Sequence, residues 1–291
     1  MSKNVSIVLN EKQIYEVKRL AGDARQLFGV YPNVPIGSDI KLLLEKNNIL
    51  LCEYPFPDTE GTHTYGNITW FKNDNDTITF IGLNTSSYYD EQIFAIAHEI
   101  YHYTTKTGKA YIPDMDYEDT ITEKQADRFA AELLLPAEAL KAAVSDVFGI
   151  SSLIAVSTGR ILRFSARIQC DWWIPFQAII NRLYEEKMIS LEQYERLYEI
   201  DCRSEDGMYR RLLKTIDSEI SGLLNKKTRN IGVSNRVIET IISNYEDGLI
   251  DDDEFVQILK MFEKKPEDFG FNMDIELDDD LKGLFESEDD E

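Results

Sequence analysis

Two of the three histidines in this chain stand four residues apart with a glutamate directly after the first, in Ala97-His98-Glu99-Ile100-Tyr101-His102. The His-Glu-x-x-His spacing has a physical reason. On a helix, residues i and i+4 project from one face about one turn apart, so two imidazoles there can share one tetrahedral ion. Glu99 is turned about 100° around the axis from His98, where its carboxylate can take a proton from water without occupying a ligand position. This pattern suits metal-assisted hydrolysis with Glu99 as general base. The plain alternative, two unrelated histidines on an amphipathic helix, has to place a glutamate in the required slot by chance.

A catalytic zinc site needs a third protein ligand and an open fourth position. Downstream, Glu123-Lys124-Gln125-Ala126-Asp127-Arg128-Phe129-Ala130-Ala131-Glu132-Leu133-Leu134-Leu135-Pro136 places Glu123 and Asp127 on one helical face, with apolar packing around the rest of that helix. One carboxylate can ligate while the other supports. If Glu123 ligates, Asp127 would accept the outer ring N–H of a ligating histidine and fix its tautomer. Thr120-x-x-Glu123 is also a capping-box pattern, so a competing reading has Glu123 satisfy backbone donors at a helix start.

His98 to His102 followed by Glu123-x-x-Ala126-Asp127-x-Phe129-Ala130-Ala131-Glu132-Leu133-Leu134-Leu135-Pro136 resembles the ImmA/IrrE family of metallopeptidases, and the combination is far more specific than either half. The resemblance implies that His98, His102 and Glu123 hold one Zn²⁺ per chain and that Glu99 acts in catalysis. It also implies an α+β, minimal gluzincin-like core: N-terminal helices, a small three-stranded antiparallel sheet, the motif helix and a helix carrying the glutamate ligand. An all-helical region would follow. The likeness is firm over about residues 67–136. Beyond it, Ser165 to Ser190 is similar to the helix-turn-helix-like segment that often follows the peptidase core, and Tyr245-Glu246-Asp247-Gly248-Leu249-Ile250 resembles a short helical element near the C-terminus of many members. Two departures stand out: Tyr101 where the family usually has glycine, and Asp90, Glu91 and Gln92 where a basic residue is common. Neither touches a ligand. The family's implied substrate is a helix-turn-helix repressor or antitoxin of a mobile element or stress response, cut by an endopeptidase.

Several elements must position these residues. Apolar residues at helical spacing from Ile14 to Phe28, stopped by Gly29 and Pro32, predict a first helix, and Ser38 to about Glu45 a second. Ile49 to Tyr54, Asn67 to Lys72 and Thr77 to Gly82 read as strands, the last two joined as a hairpin across Asn73-Asp74-Asn75-Asp76. Helices follow from about Asp90 to Thr104 and from about Thr122 to Leu135, where Pro136 breaks the pattern, with an acidic loop between them. From about Glu138 to Phe262 the chain reads as all-helical, with breaks near Gly149, Ser190, Ser204 to Gly207, Gly232 and Gly248. The implied organisation is a zinc metallopeptidase core at 1–145, a helical region at 146–270 and an acidic, flexible tail at 271–291.

With 31 basic against 53 acidic side chains, the formal net charge of −22 repels phosphate backbones and favours basic proteins as partners. Direct DNA binding through Ser165 to Ser190 would rest on Arg163, Arg167 and Arg182, offset by Asp171, Glu185 and Glu186. Cys52, Cys170 and Cys202 are odd in number and lack metal-cage spacing, so neither a disulfide framework nor a thiolate site is indicated. There is no basic-then-apolar leader and no membrane-length apolar run, which places the chain in the cytoplasm with no membrane partner. Asp247 to Glu254 lacks the alternating acids that a calcium loop needs ahead of its glycine and reads as a turn between helices. Trp172-Trp173 reads as core at a helix start. His63, Tyr101 and Tyr103 are the donors at hand for an oxyanion, and none is assigned. The function of a different class that the residues allow is a zinc-containing regulatory module that has lost its protease activity and sequesters a basic partner; retention of Glu99 favours the enzyme.

Overall fold

Asn10 opens the first helix, α1 (Glu11–Leu27), with a capping box: its side chain accepts from the Gln13 backbone while its own N–H donates to the Gln13 side chain. The computed structural model of the protein describes residues 9–57, 64–72, 77–107 and 117–272. His63, the Asn73–Asp76 turn, most of the acidic loop and the tail beyond residue 272 lie outside them. A 3₁₀ turn, Gly37–Asp39, leads into α2 (Ile40–Lys46), and strands β1 (Ile49–Tyr54), β2 (Gly66–Lys72) and β3 (Thr77–Asn84) follow. Ile49, Leu51, Ile68, Ile81 and Leu83 turn into the core.

The fold class is α+β as expected, but the sheet is neither three-stranded nor wholly antiparallel. It has four strands in the order β2-β3-β1-β4, where β4 is Gly232–Val233. β2 and β3 form the expected hairpin pair, whereas β1 runs parallel to β3, Ile49 opposite Thr79, and antiparallel to β4, Cys52 opposite Val233. Strands far apart in sequence supplied the surprise. The connection at residues 55–65 is long enough to carry β2 to the sheet edge, so the hairpin returns β3 into the middle alongside β1. The helix break expected near Gly232 is there and holds the short strand β4; Ser234 beside it donates its backbone N–H to Leu51 O at 2.9 Å.

The motif helix is α3 (Tyr89–Thr105), and α4 (Tyr117–Leu134) packs on it. Then come α5 (Ala137–Phe148), closed by Gly149 at φ 68°, α6 (Thr158–Trp172), α7 (Phe176–Glu185), α8 (Leu191–Tyr198), α9 (Met208–Ile216) and α10 (Ser218–Leu224). Trp172 and Trp173 end α6 rather than start a helix, and Trp172 is buried, while Trp173 packs edge-on to Tyr89. One apolar core runs from α1 and the sheet through Ile96 and Phe129 to Ile161, Phe176 and Ile179. Each such fully buried side chain contributes roughly 1.5–3 kcal/mol.

Beneath α4 and α7 lies a cluster of buried charge. Arg182 has no exposed side-chain surface and meets Glu132 at 2.7 Å and Glu186 at 3.5 Å; Arg128 meets Glu132, Glu185 and Glu186 at 3.3, 3.1 and 3.4 Å. Lys18 of α1 reaches Glu186 at 2.6 Å. These pairs lock α7 to the helix that carries Glu123.

Residues 1–234 form one compact unit and 235–291 another. In the second, α11 (Asn235–Glu246) and α12 (Asp252–Lys260) pack Ile241, Phe255 and Leu259 together. Gly248, at φ 69°, makes the turn, and Asp251 spends its carboxylate on the Glu254 N–H at 2.8 Å, which is the helix-turn-helix junction expected in place of a calcium loop. Among the described residues no helix is long and apolar enough to cross a membrane.

Candidate metal centre

α3 buries Ile93, Ile96, Ala97 and Ile100 on one side, which leaves His98 and His102 side by side toward α4. His98 Nε2 lies 3.3 Å from His102 Nε2 and 3.0 Å from Glu123 Oε2, and His102 Nε2 lies 3.5 Å from Glu123 Oε1. One ligand atom from each falls within 4.8 Å of the others. Donors about 2.0–2.1 Å from a tetrahedral ion stand roughly 3.3 Å apart, so the triangle of two imidazoles and one carboxylate fits a divalent metal in size and in chemistry.

Glu123 is not a cap. α4 begins at Tyr117, well before the start that the sequence suggested, so Glu123 falls inside the helix and faces the histidines. Asp127, one turn on, brings Oδ1 to 3.1 Å from His98 Nδ1. The corresponding contact of the second histidine was missed in the sequence: Thr107 Oγ1 lies 3.2 Å from His102 Nδ1. Lys106 ends α3 in the left-handed conformation, φ 57°, and this sharp turn swings Thr107 back beneath the histidine. No spacing rule announces it.

Glu99 is 6% exposed, and burial, reinforced by the charge of Glu123 and opposed by His98, pushes its carboxyl up to about 7. Burial works against charge on His98, yet hydrogen bonds to Asp127 and Glu123 and the charge of Glu99 outweigh it and lift the imidazole to about 10. Burial, then the charge of His98, pushes His102 down. Burial alone would raise Glu123, but the bond and charge of His98 and the charge of His102 hold it low. The cluster thus holds an ionised carboxylate and one neutral imidazole.

These side chains open on a cleft of about 1260 Å³. Tyr65, Gly66 and Ile68 of β2 and its approach border it, and so do Tyr184 of α7 and Tyr194 of α8. Gly66 packs closely where it stands: a Cβ there would sit 3.2 Å from Gly82 O, a tight contact, and 3.4 Å from Glu99 Oε1. The oxyanion guesses resolve unequally. Tyr101 is buried, donates its hydroxyl to Gln125 Oε1 at 3.1 Å and packs on Phe129, and the Tyr103 ring lies 4.1 Å below Lys106 Nζ; neither borders the cleft. Tyr101 in place of glycine therefore leaves the cleft untouched. Tyr65, which the sequence reading passed over, does border it.

The helix-turn-helix-like segment contributes to the cleft wall. Arg182 is sealed inside the charge cluster, and the outward face of α7 carries Gln177, Asn181, Tyr184 and Glu185 into the cleft wall. Asp90 and Glu91, standing where a basic residue was noted as common, bind Arg203 Nη2 at 2.9 and 2.8 Å, so the positive charge at the start of α3 comes from a distant part of the chain.

Residues 44–183, from the end of α2 to α7, match the family Peptidase_M78, described as the IrrE N-terminal-like domain. A search of curated proteins finds no match. The matched stretch takes in strands β1 to β3, the His₂Glu triangle and most of the cleft helix α7, and so extends well past the 67–136 span of the sequence likeness.

Proposed function

We propose that this chain, a member of the ImmA/IrrE family of metallopeptidases through its domain at 44–183, is a zinc-dependent endopeptidase that cleaves a helix-turn-helix repressor or antitoxin. In this reading His98, His102 and Glu123 hold the metal, Glu99 is the general base and Asp127 orients His98. The observation that carries it is the 3.0, 3.3 and 3.5 Å triangle of donors beside a buried carboxylate in an open cleft.

Bound zinc would acidify the attacking water and polarise the scissile carbonyl. The chain's own residues do the rest. Glu99 takes the proton from water and delivers it to the leaving amine; a buried carboxyl held near 7 suits a group that must both accept and release a proton at neutral pH. Asp127 and Thr107 each engage the outer nitrogen of a histidine, which fixes ring orientation and leaves both Nε2 atoms for the ligand position. Among the described residues β2 ends the sheet, so an extended substrate segment can add along its outer edge beside the histidines.

A net charge of −22 favours encounter with basic DNA-binding proteins over DNA itself. The test is to incubate the zinc-loaded protein and its Glu99→Gln variant with a panel of purified helix-turn-helix repressors. Cleavage of one by the first and not by the second is expected. If Glu99→Gln keeps every cellular effect of the wild type, sequestration of a basic partner replaces proteolysis.

A further inference from the structure

The wall of the cleft built by α7 and α8 is a row of tyrosines. Tyr184 and Tyr194 stack with centroids 4.7 Å apart at 29°, and Tyr194 continues to Tyr198 at 5.4 Å and 36°. All three border the cavity that holds His98 and Glu99. The middle ring is fixed by its hydroxyl, which donates to Asn181 Oδ1 at 3.0 Å. The outer two keep 38% and 40% of their surface open to the cleft and solvent.

Consecutive residues of α4 connect this row to the candidate metal centre: Asp127 touches His98, and Arg128 touches Glu185, the residue after Tyr184. A peptide lying by the histidines therefore has the tyrosines within the reach of a few residues. Asp127 borders the same cavity with its side chain 50% exposed, and burial followed by Tyr198, Glu185 and Tyr184 pushes the Tyr194 phenol up. Aromatic faces carry the negative lobe of the ring quadrupole and attract cations, the planar guanidinium best of all because it also stacks. An acidic or phosphate-bearing ligand would meet repulsion from the net charge of −22 of the whole molecule.

We propose that Tyr184, Tyr194 and Tyr198 form a specificity subsite that takes an arginine side chain of the protein substrate on their open faces. The subsite deepens the peptidase reading and rests on it for the word substrate, but binding can be tested without cleavage. The probes are fluorescein-labelled peptides of one glycine-serine host sequence that differ only in a central Arg, Leu or Glu. Their binding to the full-length Glu99→Gln protein is read by fluorescence anisotropy at low and high salt.

The Arg peptide binds about fivefold more tightly than the Leu peptide, the size of one partly exposed cation–π contact, and the Glu peptide binds weakest. Tyr184→Leu/Tyr198→Leu, two exposed positions whose replacement spares the core, brings Arg and Leu within twofold, and Tyr184→Phe/Tyr198→Phe restores the preference. Equal binding of the three peptides, or none up to millimolar concentration, overturns the subsite, as does an Arg preference that survives the leucine pair. The two readings fail separately: wild-type cleavage with no arginine near the cut keeps the peptidase and removes the subsite, while arginine-selective binding without any cleavage keeps the subsite and removes the peptidase.

Discussion

Arg182→Met removes the most deeply buried cation among the described residues and should destabilise residues 1–234 by about 3 kcal/mol. The guanidinium has no exposed surface; it meets Glu132 at 2.7 Å, the Leu135 carbonyl at 3.2 Å and Glu185 and Glu186 at 3.5 Å. Methionine fills much of the same space but leaves Glu132 and Glu186, 9% and 8% exposed, short of one partner. Removing one side of a buried ion pair costs roughly 3–5 kcal/mol. The lower end applies because Arg128 still reaches Glu132 at 3.3 Å and Lys18 still reaches Glu186 at 2.6 Å. Urea unfolding followed by tryptophan fluorescence reads the right unit, since Trp70, Trp172 and Trp173 all precede Ser234. Adding Glu132→Gln to the variant removes the stranded charge while keeping an acceptor for the Ala137 N–H, which Glu132 Oε1 now holds at 2.8 Å, and should return about 1–2 kcal/mol. A single-variant loss below about 1 kcal/mol, or no recovery in the double, would refute the reasoning.

Asp127→Ala should weaken metal binding about tenfold, the low end for a lost partner of a ligating histidine because Asp127 is half-exposed; chelator competition measures it, and an unchanged affinity would remove Asp127 from the site. Tyr101→Phe should cost about 1 kcal/mol of stability through the lost bond to Gln125 and leave cleavage unaltered, so a large fall in activity at unchanged stability would place Tyr101 in the chemistry after all. Burial lifts Asp90 from 3.8 to about 6, only partly offset by Arg203. The folded state thus holds this proton more tightly than the unfolded chain, and the stability that it lends is complete below about pH 4 and lost as pH rises to about 6. Across that window the unfolding free energy of Asp90→Asn should rise relative to wild type, and a flat difference would contradict it.

The parts of the site that were legible in the sequence are the local ones. His98, Glu99 and His102 follow from the geometry of a single helical turn, and Glu123 with Asp127 from the same rule applied once more, although only the family resemblance separated ligand from cap. What removed the cap reading in the structure was the start of α4 at Tyr117, well before Glu123. Sheet order was not legible, because it depends on where a connection carries a hairpin, and β4 is too short and too distant from β1 to carry a periodic signal. Thr107 was hidden behind a left-handed turn at Lys106. The tyrosine row was hidden for a different reason: its members are spread over two helices, and their alignment depends on α7 being held against α4 by Arg128 and Arg182.

The most direct test of the central claim is the metal content of the purified wild type, His98→Ala and Glu123→Ala proteins, measured by mass spectrometry without added zinc. One zinc per wild-type chain, lost in both variants, is the result that a His98–His102–Glu123 centre predicts. Zinc retained in Glu123→Ala would contradict that ligand set, and a wild type free of metal would contradict the peptidase reading itself.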